Sequence, residues 1–225
     1  MLDYVNPTPY IFKGKYDFEF DKNKQKIIDN LKIAKDIKTQ YNVPQPLMRD
    51  GAETSVILMG TQYQPPHYWQ EFQDFVKGWL PSRIGEIWET WRLEPRVKNY
   101  ISESWVNVHP KGGWTAEHMH NRAIVAVSCY LNVPPKGGGL MVENPMQIYK
   151  CAEPMHGNYD SLGLKWHTID VETNDVLLFP GWLRHKTEIN QSDENRYIMS
   201  INIICLLYTS PSPRDRTRSR MPSSA

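Results

Sequence analysis

The sequence predicts a mainly β (α+β) fold of the sandwich, jelly-roll or barrel type, with helices from its N-terminal half buttressing one side of the sheet. Three observations carry that prediction. From Tyr100 onward the chain is one short β-branched or alternating run after another, each bounded by Gly, Pro, Asn or Asp. No helix-period segment separates those runs, which is the pattern of closed or double-layered β architectures. Helical periodicity is confined to the first hundred residues.

Taken in order, residues 1–100 form a mixed support region and 101–204 the β core, together one domain. The support region begins with strand-like pieces such as YIFKGKYDFEF. Three helical patterns follow. Ile27, Leu31 and Ala34 recur on one face of a segment capped by Asp21; Trp69, Phe72, Phe75 and Trp79 do so after QPP; Ile84, Ile87, Trp88 and Trp91 do so after LPS. Aromatic stripes of this kind are packing surfaces. In the β core the runs are SWVNVH, AIVAVSCYLNV, GLMVENP, KWHTIDV, DVLLFPG, HKTEIN and RYIMSINII. PPKGGG, 134–139, lacks the strand-to-helix setting of a phosphate loop and is a turn. Residues 146–164 form a long connection between strands, the expected place for a lid over a site.

Residues 205–225 change character, to a Ser, Pro and Arg mixture with no core-forming pattern. This tail resembles the in-frame translation of a transposase-type sequencing adapter, with Arg216 to Arg218 where a sample index would lie, and is set aside from fold reasoning. Removing its four Arg and one Asp from the 26 basic and 25 acidic residues leaves 22 and 24, a formal charge of −2. That balance carries no nucleic-acid footprint. Cys129 and Cys151 remain, too few for a disulfide framework, which fits a reducing compartment. The N-terminus has no apolar signal core and no run approaches membrane-spanning length, so the expectation is a soluble, intracellular (cytoplasmic) protein.

The chemistry-bearing residues sit in the β core. His118 and His120, in TAEHMHNRAIVAVSCYL, stand two apart ahead of an apolar run, a spacing that puts both imidazoles on one face of an extended chain. His185 opens HKTEIN, where it shares a face with Thr187 and Ile189. Eleven residues on, Arg196, Ile198, Ser200 and Asn202 share one face of a strand whose other face, Tyr197, Met199, Ile201 and Ile203, is apolar. The polar face must meet water or a polar cavity, and an Arg in a cavity calls for an anion.

His118-x-His120, a distant His185 and an Arg shortly after it resemble the Fe(II)/2-oxoglutarate-dependent oxygenase superfamily. The flanking stretches HPKGGWTAEHMHNRAIVAVSCYLNVP and LLFPGWLRHKTEINQSDENRYIMSIN are most similar to an uncharacterised branch of it. The resemblance spans Trp105 to Ile204 and implies a double-stranded β-helix, a jelly-roll type. It implies that His118, His120 and His185 hold Fe(II) on one face, leaving positions for a 2-oxo acid and dioxygen. It also implies that Arg196 takes the distal carboxylate of 2-oxoglutarate in a bidentate contact, with hydroxyls of Tyr130 and Ser200, and less so Thr187, assisting. The reaction implied is oxidation of an unknown substrate with release of succinate and carbon dioxide. One position departs from the superfamily pattern: the usual second ligand is Asp or Glu, and here it is His120. Glu117 and Glu143 are the carboxylates that could stand in, although Glu117 alternates away from His118 in a regular strand.

Two other classes use similar residues. Three histidines also suit a hydrolytic zinc site or a cofactor-free iron dioxygenase, for which Arg196 would be incidental. A non-enzymatic viral jelly-roll module would need no metal at all. His67, His109, His156 and His167 carry no ligand spacing and are structural residues. Cys129 and Cys151 are buried small residues without a base placed for them. Trp182 and Leu183 are expected to pack beneath the site.

Overall fold

The computed structural model describes residues 11–93, 98–145 and 166–206. The predicted lid, Cys151 and His156 lie outside the described residues, as does the tail from 207 onward. In chain order the strands are β1 (Phe12–Lys15), β2 (Met48–Arg49), β3 (Glu53–Thr54), β4 (Lys98–His109), β5 (Trp114–Thr115), β6 (Val125–Asn132), β7 (Leu140–Glu143), β8 (Trp166–Ile169), β9 (Asp175–Pro180), β10 (His185–Thr187) and β11 (Arg196–Leu206); the helices are α1 (Phe20–Tyr41) and α2 (Leu80–Thr90).

Six strands make the larger sheet, in the order β1-β9-β6-β11-β4-β3, and β10-β7-β8 make a smaller one facing it. All pairings among the described residues are antiparallel. The architecture is a double-stranded β-helix with helical support, as the strand pattern predicts. β11 continues to Leu206, paired with Lys98, two residues past the boundary drawn at 204.

The alternation of β6 and β11 explains how the layers separate. Val125, Val127, Cys129 and Leu131 join Tyr197, Met199, Ile201 and Ile203 in a core shared with the helices, Phe72 and Phe75 included. The intervening residues Ala126, Tyr130 and Ile198 join Leu140, Val142, Leu177 and Phe179 in a second core between the two sheets. Each fully buried Leu, Ile or Phe contributes about 1.5–3 kcal/mol, so the side buried against the helices fixes which side faces the interior.

The helices differ from expectation in two respects. Asp21 is not the cap of α1 but lies in its first turn; Glu19 occupies the cap position with left-handed backbone and no side-chain capping bond. The Trp69–Trp79 stripe is not one helix. It begins as 3₁₀ turns at Pro66–Tyr68 and Gln70–Phe72 and becomes a π-helical turn, Phe75–Trp79, that runs straight into α2. Pro81 supplies the reason: without an N–H it cannot complete the α-ladder, and its ring displaces the carbonyl one turn back, so the backbone widens locally. Trp69, Phe72, Phe75, Ile84, Ile87 and Trp88 are nevertheless buried, as a packing stripe requires. No helix among the described residues is long and apolar enough to cross a membrane.

Candidate metal centre

The site is assembled from the rim of the smaller sheet and the inward face of β4 and β11. His118 precedes β6 outside any named strand, yet its backbone forms a two-bond bridge with His185 at the start of β10, N–H to carbonyl at 2.9 Å in both directions. His120 N–H donates to the Gly181 carbonyl at 2.8 Å. These bonds hold both histidines of the pair against the chain leading into β10. Gly181 can be nothing larger, because a Cβ there would overlap the Ala123 carbonyl.

The three imidazoles converge, with candidate ligand nitrogens within 4.8 Å of one another. Ring centroids are 4.3 Å apart for His118 and His185, 5.0 Å for His120 and His185, and 5.2 Å for His118 and His120. Each ring is turned by a hydrogen bond at Nδ1. His118 Nδ1 meets the Ala116 carbonyl at 2.8 Å and His185 Nδ1 the Leu183 carbonyl at 2.8 Å. A carbonyl only accepts, so both Nδ1 atoms carry the proton and both Nε2 lone pairs are left for the centre. His120 Nδ1 bonds to Asn202 Oδ1, whose amide Nδ2 donates to Glu103 Oε2 at 2.7 Å. Trp105 stacks on His120, and Phe179 meets His185 edge-on.

All three rings are held neutral. Burial lowers the pKa of His118 to about 4, lowers that of His120, and takes that of His185 well below the usual histidine value. Neutral imidazoles are ligands without a proton to lose, so the donor set fits a metal ion. Neither candidate carboxylate approaches: Glu117 and Glu143 both pair with Arg184 instead.

A cavity of about 410 Å³ opens onto this cluster. His118, His120, His185, Tyr130 and Ser200 line it, with Thr187 and Asn202. Its polar floor follows from register: Arg196 stands opposite His109, Ile198 opposite Asn107, Ser200 opposite Trp105 and Asn202 opposite Glu103. Asn107 Nδ2 donates to Ser200 Oγ at 3.2 Å, and Thr187 Oγ1 accepts from Thr115 N–H at 2.8 Å. The Tyr130 hydroxyl is buried without a hydrogen-bond partner among the described residues, and burial pushes its pKa up, so it offers an unused donor.

Arg196 lies behind the lining rather than in it. Fully buried, it donates Nη1 hydrogens to the carbonyls of Gly137 and Gly138 (2.9 Å for the latter), an Nη2 hydrogen to Glu188 O at 3.0 Å and Nε–H to His109 Nδ1 at 3.4 Å. Of a guanidinium's five N–H groups these use four, which among the described residues leaves one on Nη2 and no bidentate fork for a ligand in this arrangement. No carboxylate pairs with it among the described residues, and burial lowers its pKa to about 10. His109, expected to be structural, is a cavity residue; its Nε2 donates to Thr115 Oγ1 at 2.7 Å. The alternation of Glu103, Trp105, Asn107 and His109 along β4 was the available signal for it. Trp182 does not pack beneath the site but is 56% exposed, whereas Leu183 is buried.

With this geometry in hand, residues 103–202 match the family described as "Putative 2OG-Fe(II) oxygenase". Over this stretch the chain is similar to the 2OG-Fe(II) oxygenases. The fold of the protein is also that of a Pseudomonas putida prolyl-4-hydroxylase, at 12% identity over 88% of this chain and 93% of that one, TM-score 0.52. It is shared too with SnoN, a non-heme alpha-ketoglutarate-dependent epimerase from nogalamycin biosynthesis, at 11% identity over 87% and 78% of the two chains, TM-score 0.50. At such identities the likeness is one of fold. No curated protein matches the chain. The match indicates an oxidoreductase, and the family implies Fe(II), 2-oxoglutarate and a further substrate.

Proposed function

We propose that the protein binds Fe(II) through His118, His120 and His185 and uses 2-oxoglutarate, held near Arg196, Tyr130 and Ser200, to oxidise a substrate admitted to the cavity, releasing succinate and carbon dioxide. The observation that carries this reading is the pairing of two features: three neutral imidazoles lining one cavity with Nε2 left for a metal, and a buried guanidinium directly behind that lining, bonded to the cavity residue His109 and paired with no carboxylate among the described residues. Bound iron would supply dioxygen activation, with the 2-oxo acid as two-electron reductant; the chain's residues bind and orient. His118 and His185, fixed by backbone carbonyls, present lone pairs without reorganisation. The unpartnered Tyr130 hydroxyl and the remaining Arg196 N–H suit an anionic oxygen, and the cationic field favours a dianion over a neutral molecule.

A hydrolytic zinc site would use the same imidazoles but gives no role to a buried cation that no carboxylate pairs with among the described residues. The test is an anaerobic Fe(II) titration. The parent protein is expected to bind one equivalent, and His118→Ala and His185→Ala to lose it; either variant keeping full stoichiometry removes that residue from the site.

A further inference from the structure

Three imidazoles leave a divalent ion with more positive charge than a set containing a carboxylate, and the fold holds a carboxylate one hydrogen-bonded group away. We infer that Glu103, acting through Asn202, is a positioning residue for His120 and returns to the metal site the negative charge that its ligands lack. The inference rests on the iron-site reading of the triad.

The direction of every hydrogen bond in the relay follows from its far end. A carboxylate has no proton to give, so the amide nitrogen of Asn202 must face Glu103, and it does so at 2.7 Å. The amide oxygen therefore faces His120, which obliges His120 Nδ1 to carry the proton and Nε2 to carry the lone pair. His118 and His185 need no such device, because each is tied to a backbone carbonyl two residues earlier that any sequence would offer. The orientation of His120 alone depends on side chains.

The strands are built for the relay. Asn202 on β11 stands opposite Glu103 on β4, and the register of that pair shifts immediately afterwards, between Asn202 and Ile203. Such an irregularity re-aims side chains beside a site. Trp105, two residues from Glu103 on the same face of β4, stacks on the His120 ring at 5.6 Å between centroids. A carboxylate polarising a ligand imidazole through a chain of hydrogen bonds raises its basicity, and loss of such a partner typically weakens metal binding about 10- to 100-fold.

Two measurements test this. The first uses unaltered, metal-free protein with ¹⁵N-labelled histidine: two-bond ¹H–¹⁵N spectra should show His120 as the Nδ1–H tautomer, and an Nε2–H tautomer would overturn the relay. The second titrates Fe(II) anaerobically into the parent, Glu103→Gln, and Glu103→Gln combined with Asn202→Asp. Glu103→Gln keeps an acceptor but loses the charge, and should bind about 10- to 100-fold more weakly. The combined variant exchanges amide and carboxylate, moving the charge one place nearer the ring, and should recover the lost affinity. Parent-like affinity in Glu103→Gln, or no recovery in the exchanged pair, overturns the inference. Absence of Fe(II) binding by the parent would instead remove the metal-site reading, and this inference with it.

Discussion

Replacing Arg196 by Ala should have two separable consequences. The side chain is fully buried and ties the turn before β7 to β10 through the carbonyls of Gly137, Gly138 and Glu188. Truncation orphans these three carbonyls at roughly 1 kcal/mol each and frees His109 Nδ1 from its long bond, partly offset because a buried cation no longer has to be desolvated. The net loss should be about 2–3 kcal/mol. In urea unfolding of the metal-free protein, with a slope of about 2–3 kcal/mol/M, the midpoint should fall by about 1 M. The second consequence concerns the cosubstrate. One free N–H permits one charge-assisted bond, worth about 1.5–3 kcal/mol, so the 2-oxoglutarate requirement should rise roughly 10- to 100-fold. Iron stoichiometry, read in the same samples, should stay at one. An unchanged urea midpoint would refute the packing role, and an unchanged 2-oxoglutarate requirement would refute the anion role.

Tyr130→Phe should leave stability unchanged or raise it by up to about 1 kcal/mol in urea, because the hydroxyl it removes is buried and unbonded, while weakening 2-oxoglutarate binding; a clear stability loss would contradict the unpartnered hydroxyl. Acid should destabilise the metal-free protein. His118 titrates at 6.5 when unfolded and at about 4 when folded, so its contribution is complete above 6.5 and is lost as the pH falls toward 4, about 3 kcal/mol at 1.4 kcal/mol per unit, with His185 and His109 adding in the same direction. A flat stability profile from pH 7 to 4 would refute the neutral triad. Gly138→Ala should reproduce part of the Arg196→Ala defect, since Gly138 has φ +79° and a Cβ would press on Arg196 Nη1 and Glu188 Cβ; a parent-like urea midpoint would contradict that crowding.

Much of this fold was legible because strand alternation is a strict period of two. The apolar face of β11 that packs on the helices, and the opposite face carrying Arg196, Ile198, Ser200 and Asn202, can be read directly from RYIMSIN. The spacing of His118 and His120 likewise suggested a shared face, although a backbone bridge rather than a regular strand creates it. What could not be read is register. Nothing in the residues announces that Asn202 faces Glu103, or that Arg196 faces His109, because pairing between strands about a hundred residues apart is set by the whole sheet. For the same reason Arg196 appeared free for a bidentate contact, when the turn at Gly137 and Gly138 returns to claim most of its donors. Pro81 misled in the other direction, dividing on paper a helix that a π turn keeps continuous.

The most direct test of the proposed iron and 2-oxoglutarate site is a visible spectrum of the protein with Fe(II), recorded without oxygen as 2-oxoglutarate is added. The account predicts a weak charge-transfer band from the oxo acid chelating the metal, lost in His185→Ala and formed only at higher 2-oxoglutarate in Arg196→Ala. Stoichiometric iron binding with no band at any concentration of the oxo acid would contradict it.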